Sequence, residues 1–333
     1  MPRERMRRIL VTGGAGFIGS CFARSLLDGS APDWEELEHL TVLDNLTYAG
    51  NPANLAPVSG DPRLTFVKGD IGDRGLLGDV LPGHDLVVNF AAESHVDRSI
   101  SDPDAFVRTN VSGAHTLFEA SRHLGVHTVV QVSTDEVYGS IAEGSWDEDA
   151  PPRPNSPYSA SKAGADLLAL AYAGTYGYDI RVTRCSNNYG PYQFPEKVVP
   201  LFVTNLLDGH DVPLYGDGGN VRDWIHVDDH CRGIRLVAQA GTPGAVYNVG
   251  GGAELTNREL TGLLLDACGA DRGRVRRVPD RKNHDRRYSM TDRKLRALGY
   301  RPEIDFASGL AGTVDWYREN RQWWEPLKSP PRD

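Results

Sequence analysis

Apolar residues in the first 190 positions come in short, nearly unbroken runs separated by longer amphipathic stretches. These runs, bounded by Gly, Asp and Pro, predict strands at 8–12, 40–43, 64–67, 86–90, 128–132 and 180–183. Between them, helical spacing of apolar positions predicts helices at 16–27, 103–124 and 158–176, the last rich in alanine. Strands apolar on both faces that alternate with helices mean a parallel sheet covered on both sides. The expected fold class is therefore α/β, a Rossmann-type doubly wound parallel sheet. After about Asn188 the pattern changes, with Pro and Gly in bursts (GPYQFPEK, LYGDGGNVRDW, NVGGG) and shorter elements. That texture predicts a smaller mixed α/β lobe over 189–333, partly interwoven with a first domain of 1–188.

Composition narrows the partners. The 333 residues carry a net charge of -9, which argues against a nucleic-acid partner. Cys21, Cys185, Cys231 and Cys268 are widely spaced and suggest neither a disulfide framework nor a zinc site, so a reducing cytoplasm is expected. MPRERMRR has the charge of a signal peptide's first region, but glycines interrupt the adjoining apolar run too early for a secretory core. No later run approaches membrane length.

Directly after the first strand, VTGGAGFIG sets Gly13, Gly16 and Gly19 at G-x-x-G-x-x-G spacing and runs into a helix. Gly13 and Gly16 let backbone approach a pyrophosphate at the helix N-terminus, where unpaired N–H groups and the dipole favour anions. Gly19 permits close helix–sheet packing, and Phe17 and Ile18 complete the candidate cofactor turn. Asp44 ends the LTVLD strand and is the candidate for the adenosine ribose hydroxyls. Its carboxylate repels a 2′-phosphate, so NAD is expected over NADP. The interval from Gly19 to Asp44 exceeds the usual ~20 residues, and an insertion at SAPDWEELE accounts for it. Asp70 and Ile71, just past the third strand, are candidates for the adenine side.

Tyr158 and Lys162, in SPYSASKA, stand four apart and so share a helix face. An ammonium beside a phenol favours the phenolate and lowers the tyrosine's pKa, as removal of an alcohol proton requires. Lys162 also reaches the nicotinamide ribose. Upstream, STDEVYG sets Asp135 and Glu136 past a strand's C-terminal end, where α/β enzymes build sites. The plain alternative is an exposed acidic pair capping a helix. Oxidising an alcohol needs one acid–base group, whereas expelling water as well needs a second base and an acid.

The segments TGGAGFIGS, FAAESHVDRS, STDEVYGS, SPYSASKA, NNYGPYQ, RDWIHVDDH and WYRENRQWWEPL resemble the extended short-chain dehydrogenase/reductases. Within them the chain is similar to the dTDP-glucose 4,6-dehydratases from Ile9 to about Leu327, and STDEVYG is the discriminating motif. The resemblance implies that Tyr158 takes the carbon-4 hydroxyl proton as hydride passes to NAD. Glu136 then removes the carbon-5 proton, acidified by the new ketone, while Asp135 protonates the leaving hydroxyl. Hydride returns to carbon 6, giving dTDP-4-keto-6-deoxyglucose. Asp135 must be neutral when it acts, which implies a pKa raised by burial or by ionised Glu136. Thr134 is expected to hydrogen-bond the carbon-4 oxygen. Net redox change is zero, so NAD should stay tightly bound and be regenerated each turnover.

By the same resemblance Ala91, Ala92 and Ser94 line the nicotinamide and sugar side, and Thr109 and Asn188 face the cofactor. Ser94 and Thr134 also count towards the substrate. His95 and Asp97 lack a further His or Cys at ligand spacing, so no metal is expected. Lys197, Arg222, Arg281 and His284 are the candidates for the nucleoside diphosphate, Arg suiting phosphate through its fork of donors. Asn187 is assigned to the diphosphate or sugar, Asn257 to the phosphate side, and Pro213, Leu214 and Tyr215 to the base. Asn283 and Ser186 depart from the family pattern, which usually has glycine and cysteine there. Two rivals stay open: a nucleotide-sugar 4-epimerase, which has no use for Asp135 and Glu136, and a UDP-glucose 4,6-dehydratase. The second differs by one thymine methyl, worth ~1–3 kcal/mol. Relatives are mostly homodimers, packed through helices that correspond to 103–124 and 158–176.

Overall fold

A computed structural model describes residues 6–280 and 285–328. The apolar runs of the first half become β1 (Arg8–Thr12), β2 (His39–Asp44), β3 (Leu64–Lys68), β4 (Leu86–Asn89), β5 (Thr128–Thr134) and β6 (Asp179–Cys185). The later part supplies β7 (Asn187–Tyr189), β8 (Val212–Tyr215), β9 (Val221–His226), β10 (Val246–Val249), β11 (Ala253–Thr256) and β12 (Val275–Val278). Seven of these make one parallel sheet in the order β10-β6-β5-β4-β1-β2-β3. Every residue of β4 and β5 is buried, which is why their apolar runs do not alternate.

Helices cover both faces. On one, Phe22 and Leu26 of the Phe17–Leu27 helix pack with Cys231 and Ile234 of the Val227–Ala240 helix. On the other, Leu117 and Phe118 pack with Ala165, Ala169 and Tyr172 of the Pro157–Tyr176 helix. The insertion between the first helix and β2 forms a 3₁₀ turn, Pro32–Trp34, and buries Ala31, Trp34 and Leu37 against the first of these cores. The extra length is packed structure.

The stretch expected as one regular helix over 103–124 is interrupted. Pro103–Phe106 and Ala114–His123 are α-helical, and Val107–Gly113 between them is a π-helical turn. The wider turn directs Asn110 inward. Its Oδ1 accepts from Glu93 N at 2.8 Å, and its Nδ2 donates to Glu93 O at 3.0 Å and to Ser161 Oγ at 2.8 Å. Three buried hydrogen bonds compensate the irregular ladder, a common use of π turns beside functional sites.

The chain beyond residue 189 contributes to two cores. Phe202, Trp224, Leu264, Val314, Tyr317 and Trp324 form a separate one under a β11-β9-β7 sheet and a β12-β8 pair. Residues 227–249 return to the first: their helix packs against Phe17–Leu27, and β10 extends the main sheet, pairing Val246 with Val182.

Candidate active site

Chain order reverses between β1 and β4, the position at which doubly wound sheets open a crevice at their strands' C-terminal ends. A cleft of about 2240 Å³ lies there, reaching from the β1 and β2 loops to β8 and the start of the Asn257–Cys268 helix. Ordinary small-molecule pockets hold ~300–1,000 Å³, so this one has room for a dinucleotide and a second nucleotide end to end.

The β1 loop forms one end. Gly13 has φ +68°, and a Cβ there would lie 2.5 Å from Ala91 N; at Gly19 it would lie 2.4 Å from Gly13 O. Gly16 is the N-cap of the Phe17–Leu27 helix and leaves the first N–H groups without a side-chain acceptor. Phe17 and Ile18, on that first turn, line the cleft. Asp44 Oδ2 accepts from Ala15 N at 2.9 Å and Oδ1 from Leu46 N at 2.8 Å, so the carboxylate ties the β1 loop to the β2 loop. Burial raises its pKa against those hydrogen bonds. Asp70 accepts from Asn45 Nδ2 at 2.9 Å and Gly72 N at 2.7 Å, next to buried Ile71. An uncapped helix N-terminus, glycines without room for a side chain and a strand-end carboxylate fit a dinucleotide. Ala91, Ala92 and Ser94 follow β4 along the same wall, and Thr109, on the π turn, and Asn188, on β7, face it. Asn188 Oδ1 meets His230 Nδ1 at 2.9 Å, where burial pulls the imidazole down to about 3 and keeps it neutral.

The acid–base groups gather at the end of β5. Thr134 caps a 3₁₀ turn, Asp135–Tyr138: its hydroxyl accepts from Glu136 N and donates to Asp135 Oδ1, each at 3.2 Å. Beneath the turn Tyr138 donates to Asn248 Oδ1 of β10 at 2.8 Å and lies 4.6 Å under the Arg184 guanidinium. Arg184 in turn pairs with fully buried Asp166 at 2.9 Å. Asp135 is 4% exposed, and its Oδ2 meets no hydrogen-bond partner among the described residues. Burial, then the neighbouring Glu136 carboxylate, push its pKa well above the usual carboxylate range, while Arg222 pulls it down. The neutral acid expected from the sequence has its two physical causes in place.

Tyr158 and Lys162 sit on the helix that a Ser156–Ser159 capping box and Pro157 begin. Their electrostatics depart from expectation. Burial first, and Glu136 second, hold the Tyr158 phenol well above its ordinary value, and the Thr134 hydroxyl is the group that favours its phenolate. Lys162 directs Nζ to the Val132 carbonyl at 2.7 Å. Burial lowers the ammonium's pKa and Asp166, one turn further along, raises it. The expectation that Lys162 sets the Tyr158 pKa needs correction: burial leads and the Glu136 carboxylate follows, both raising it.

At the other end, Arg222 is 8% exposed, donates to Val221 O at 2.8 Å and Asp285 O at 3.0 Å, and lies 4.1 Å over the Tyr288 ring. Lys197 donates to Ser94 O at 2.8 Å across the cleft. Asn187 lines the wall with a buried Oδ1 that has no partner among the described residues. Pro213 and Tyr215 of β8 and Asn257, at the start of its helix, line the far end. Arg281 and His284, with Asn283, lie outside the described residues. Asn110, Asp166 and Tyr288 were not anticipated, nor was buried Asp223, which accepts from Gly251 N at 3.0 Å and Ala253 N at 2.8 Å. A buried polar residue interrupting the apolar stripe at 103–124 is the one signal that could have found Asn110.

The sequence matches the GDP-mannose 4,6 dehydratase family model over residues 10–313. A dTDP-glucose 4,6-dehydratase of Streptomyces antibioticus is 61% identical over 324 residues, 97% of this chain and 96% of that one. Its Streptomyces griseus counterpart is 61% identical, with 96% of each chain covered. A dTDP-glucose 4,6-dehydratase of Streptomyces venezuelae, solved with NAD bound, superposes with a TM-score of 0.95 at 65% identity, covering 96% of this chain and all of that one (100%). A Thermus thermophilus UDP-glucose 4-epimerase with NAD superposes at a TM-score of 0.85 and 35% identity, covering 94% and 99% of the two chains. On these matches the chain belongs to the GDP-mannose 4,6 dehydratase family and, within it, to the dTDP-glucose 4,6-dehydratases.

Proposed function

We propose that the enzyme, an NAD-dependent hydro-lyase, converts dTDP-glucose to dTDP-4-keto-6-deoxyglucose at the cleft, with Thr134, Asp135, Glu136, Tyr158 and Lys162 as its acid–base machinery. NAD, when bound, accepts hydride from carbon 4 and gives it back at carbon 6. Tyr158 takes the carbon-4 hydroxyl proton as the phenolate, the form that a hydrogen bond from the Thr134 hydroxyl favours. The resulting ketone acidifies carbon 5, and Glu136 removes that proton. Asp135, held neutral by burial and by Glu136, protonates the carbon-6 hydroxyl, which leaves as water. Glu136 then returns its proton to carbon 5. The proton left on Tyr158 balances the one given up by Asp135, so the cycle closes with loss of one water.

The observation that carries this reading is the buried Asp135 carboxyl, one oxygen of which meets no hydrogen-bond partner among the described residues, beside a second carboxylate at the end of β5. An epimerase, which conserves mass, has no use for that pair. The test is the product of purified protein and dTDP-glucose: mass lower by one water and a 4-keto chromophore support it, and an isomer of unchanged mass overturns it. A parallel incubation with UDP-glucose measures the preference for thymine.

We further propose a homodimer in the cytoplasm. Val107, Leu167 and Tyr176, on the π turn and the Pro157–Tyr176 helix, are each more than half exposed (53%, 55% and 54%), and a second copy would cover them. The four cysteines are unpaired thiols, and no helix among the described residues is long and apolar enough to cross a membrane. Sedimentation of the purified protein decides the dimer.

A further inference from the structure

Three loops meet across the mouth of the cleft. The one after β2 carries Tyr48, the one after β4 carries Ser94 and His95 and leads into the short Val96–Ser101 helix that bears Arg98, and the one after β7 carries Phe194, Glu196 and Lys197. The Arg98 guanidinium lies 3.8 Å from the Tyr48 ring centroid and donates to Glu196 Oε2 at 3.3 Å. Tyr48 meets Phe194 edge-on with ring centroids 5.7 Å apart. Lys197 Nζ donates to Ser94 O at 2.8 Å, closing the same bridge from the third loop.

Sheet order gives the contact its meaning. β1 lies between β2 and β4, so a bridge between the loops of β2 and β4 must pass over the loop of β1. That loop is Gly13–Gly16, the seat assigned to the pyrophosphate. The reaction requires such a cover, because reduced cofactor that escaped between the two halves of the cycle would strand the keto intermediate. The bridge can also open. The Arg98 side chain is 49% exposed, so water can replace its contacts while a dinucleotide enters.

We propose that Tyr48, Arg98 and Glu196 form a strap that closes over the bound dinucleotide and retains it through turnover. The inference rests on the NAD-dependent reading above and adds to it a set of cofactor-retaining residues. None of them touches the reacting carbons, so their effect falls on cofactor exchange and leaves the chemical steps alone.

The test measures exchange of labelled NAD from holoenzyme into excess unlabelled NAD, with the NAD content per protomer after gel filtration. Arg98→Met and Tyr48→Ala should release NAD about tenfold faster or more than wild type. Arg98→Lys keeps a cation over the ring and should stay near the wild-type rate. Both fast variants should lose turnover on dilution and regain it, with kcat restored, when NAD is supplied in excess. A wild-type exchange rate in Arg98→Met and Tyr48→Ala overturns the strap. If Tyr48→Ala fails to fold, Arg98→Met and Glu196→Gln carry the same decision. Wild-type protein that keeps no NAD through gel filtration overturns cofactor retention itself, and the strap with it.

Discussion

The nucleotide half of the cleft and its sugar-facing half hold their residues by different means. In the first, position follows from strand register: Gly13, Asp44, Ala91 and Thr134 each sit at or just beyond the end of a strand whose neighbours are paired along their length. In the second, short strands carry Asn187, Tyr215 and Arg222, and their side chains are aimed by polar links to segments far apart in sequence. Arg222 is oriented by the carbonyl of Asp285, and Asp285 is held by Asn155, 130 residues away, through a 2.5 Å hydrogen bond. Order in a sheet is cooperative and tolerates a lost side chain. Loop-to-loop placement depends on a few polar links, so function there should be more sensitive to single changes that leave the fold intact.

The largest effect should come from Asp135, where the two halves meet. Asp135→Asn removes the acid while keeping its shape, and turnover should fall by about 10²–10⁴-fold, the usual weight of a positioned general acid. Oxidation at carbon 4 should persist, so NADH absorbance should rise and stay up in a single turnover. A loss of both half-reactions in equal measure would remove Asp135 from the elimination step. The next largest effect tests the sheet side. Asp166→Ala leaves the Arg184 guanidinium buried without its partner and should cost about 3–5 kcal/mol in denaturant unfolding. The paired replacement Asp166→Leu with Arg184→Met should recover most of that loss, because two apolar groups leave no uncompensated charge.

The same contrast governs what the sequence makes legible. The first six strands could be read to within two residues or so, since runs such as LVVN and TVVQVST have no other means of hiding apolar surface; β7 to β12 were not placed. The glycines were readable because a Cβ at Gly13 collides with backbone, a constraint that local chemistry writes into the motif. The π turn at Val107–Gly113 was not, because it depends on Asn110 finding Glu93 and Ser161, partners that no periodicity encodes. Arg222 was named through resemblance, and its seat on Tyr288 emerged only with the fold. The raised pKa of the Tyr158 phenol was missed for a related reason. Its pKa is set by burial and by Glu136 more than by the lysine four residues on, and burial is a property of the assembled cleft.

Arg222 offers a way to sharpen the comparison, because a residue of the sugar half acts on an acid of the other. Thr134, Glu136, Arg222 and Asp223 surround the Asp135 carboxyl, and of the charged groups Arg222 alone lowers its pKa. On the mechanism proposed above Asp135 works protonated, so activity should fall as pH rises through that pKa. Arg222→Gln should therefore move the alkaline limb of the kcat profile to higher pH. It should also raise KM on the order of tenfold or more through the lost charged hydrogen bonds. An alkaline limb that stays put while KM rises would confine Arg222 to binding.

The smallest effect is the most direct test of loop-to-loop placement. Asn155 immediately precedes the Ser156 cap of the catalytic helix, and its Nδ2 donates to Asp285 Oδ1, while the Tyr288 hydroxyl donates to Asp285 Oδ2 at 2.6 Å. Asn155→Ala removes the exposed hydrogen bond to Asp285, worth about 0.5–1.5 kcal/mol, so the melting temperature should fall by only about 1–2 °C. Asp285 keeps Tyr288 but loses its tie to the catalytic helix. Its carbonyl, which orients Arg222, is then free to shift. A small loss of stability with a clear rise in KM would show that this lobe is positioned by discrete polar links. Equal, slight changes in both would mean that the backbone crossings at 227–249 hold the lobe by themselves, and that the two halves differ less than their hydrogen bonding suggests.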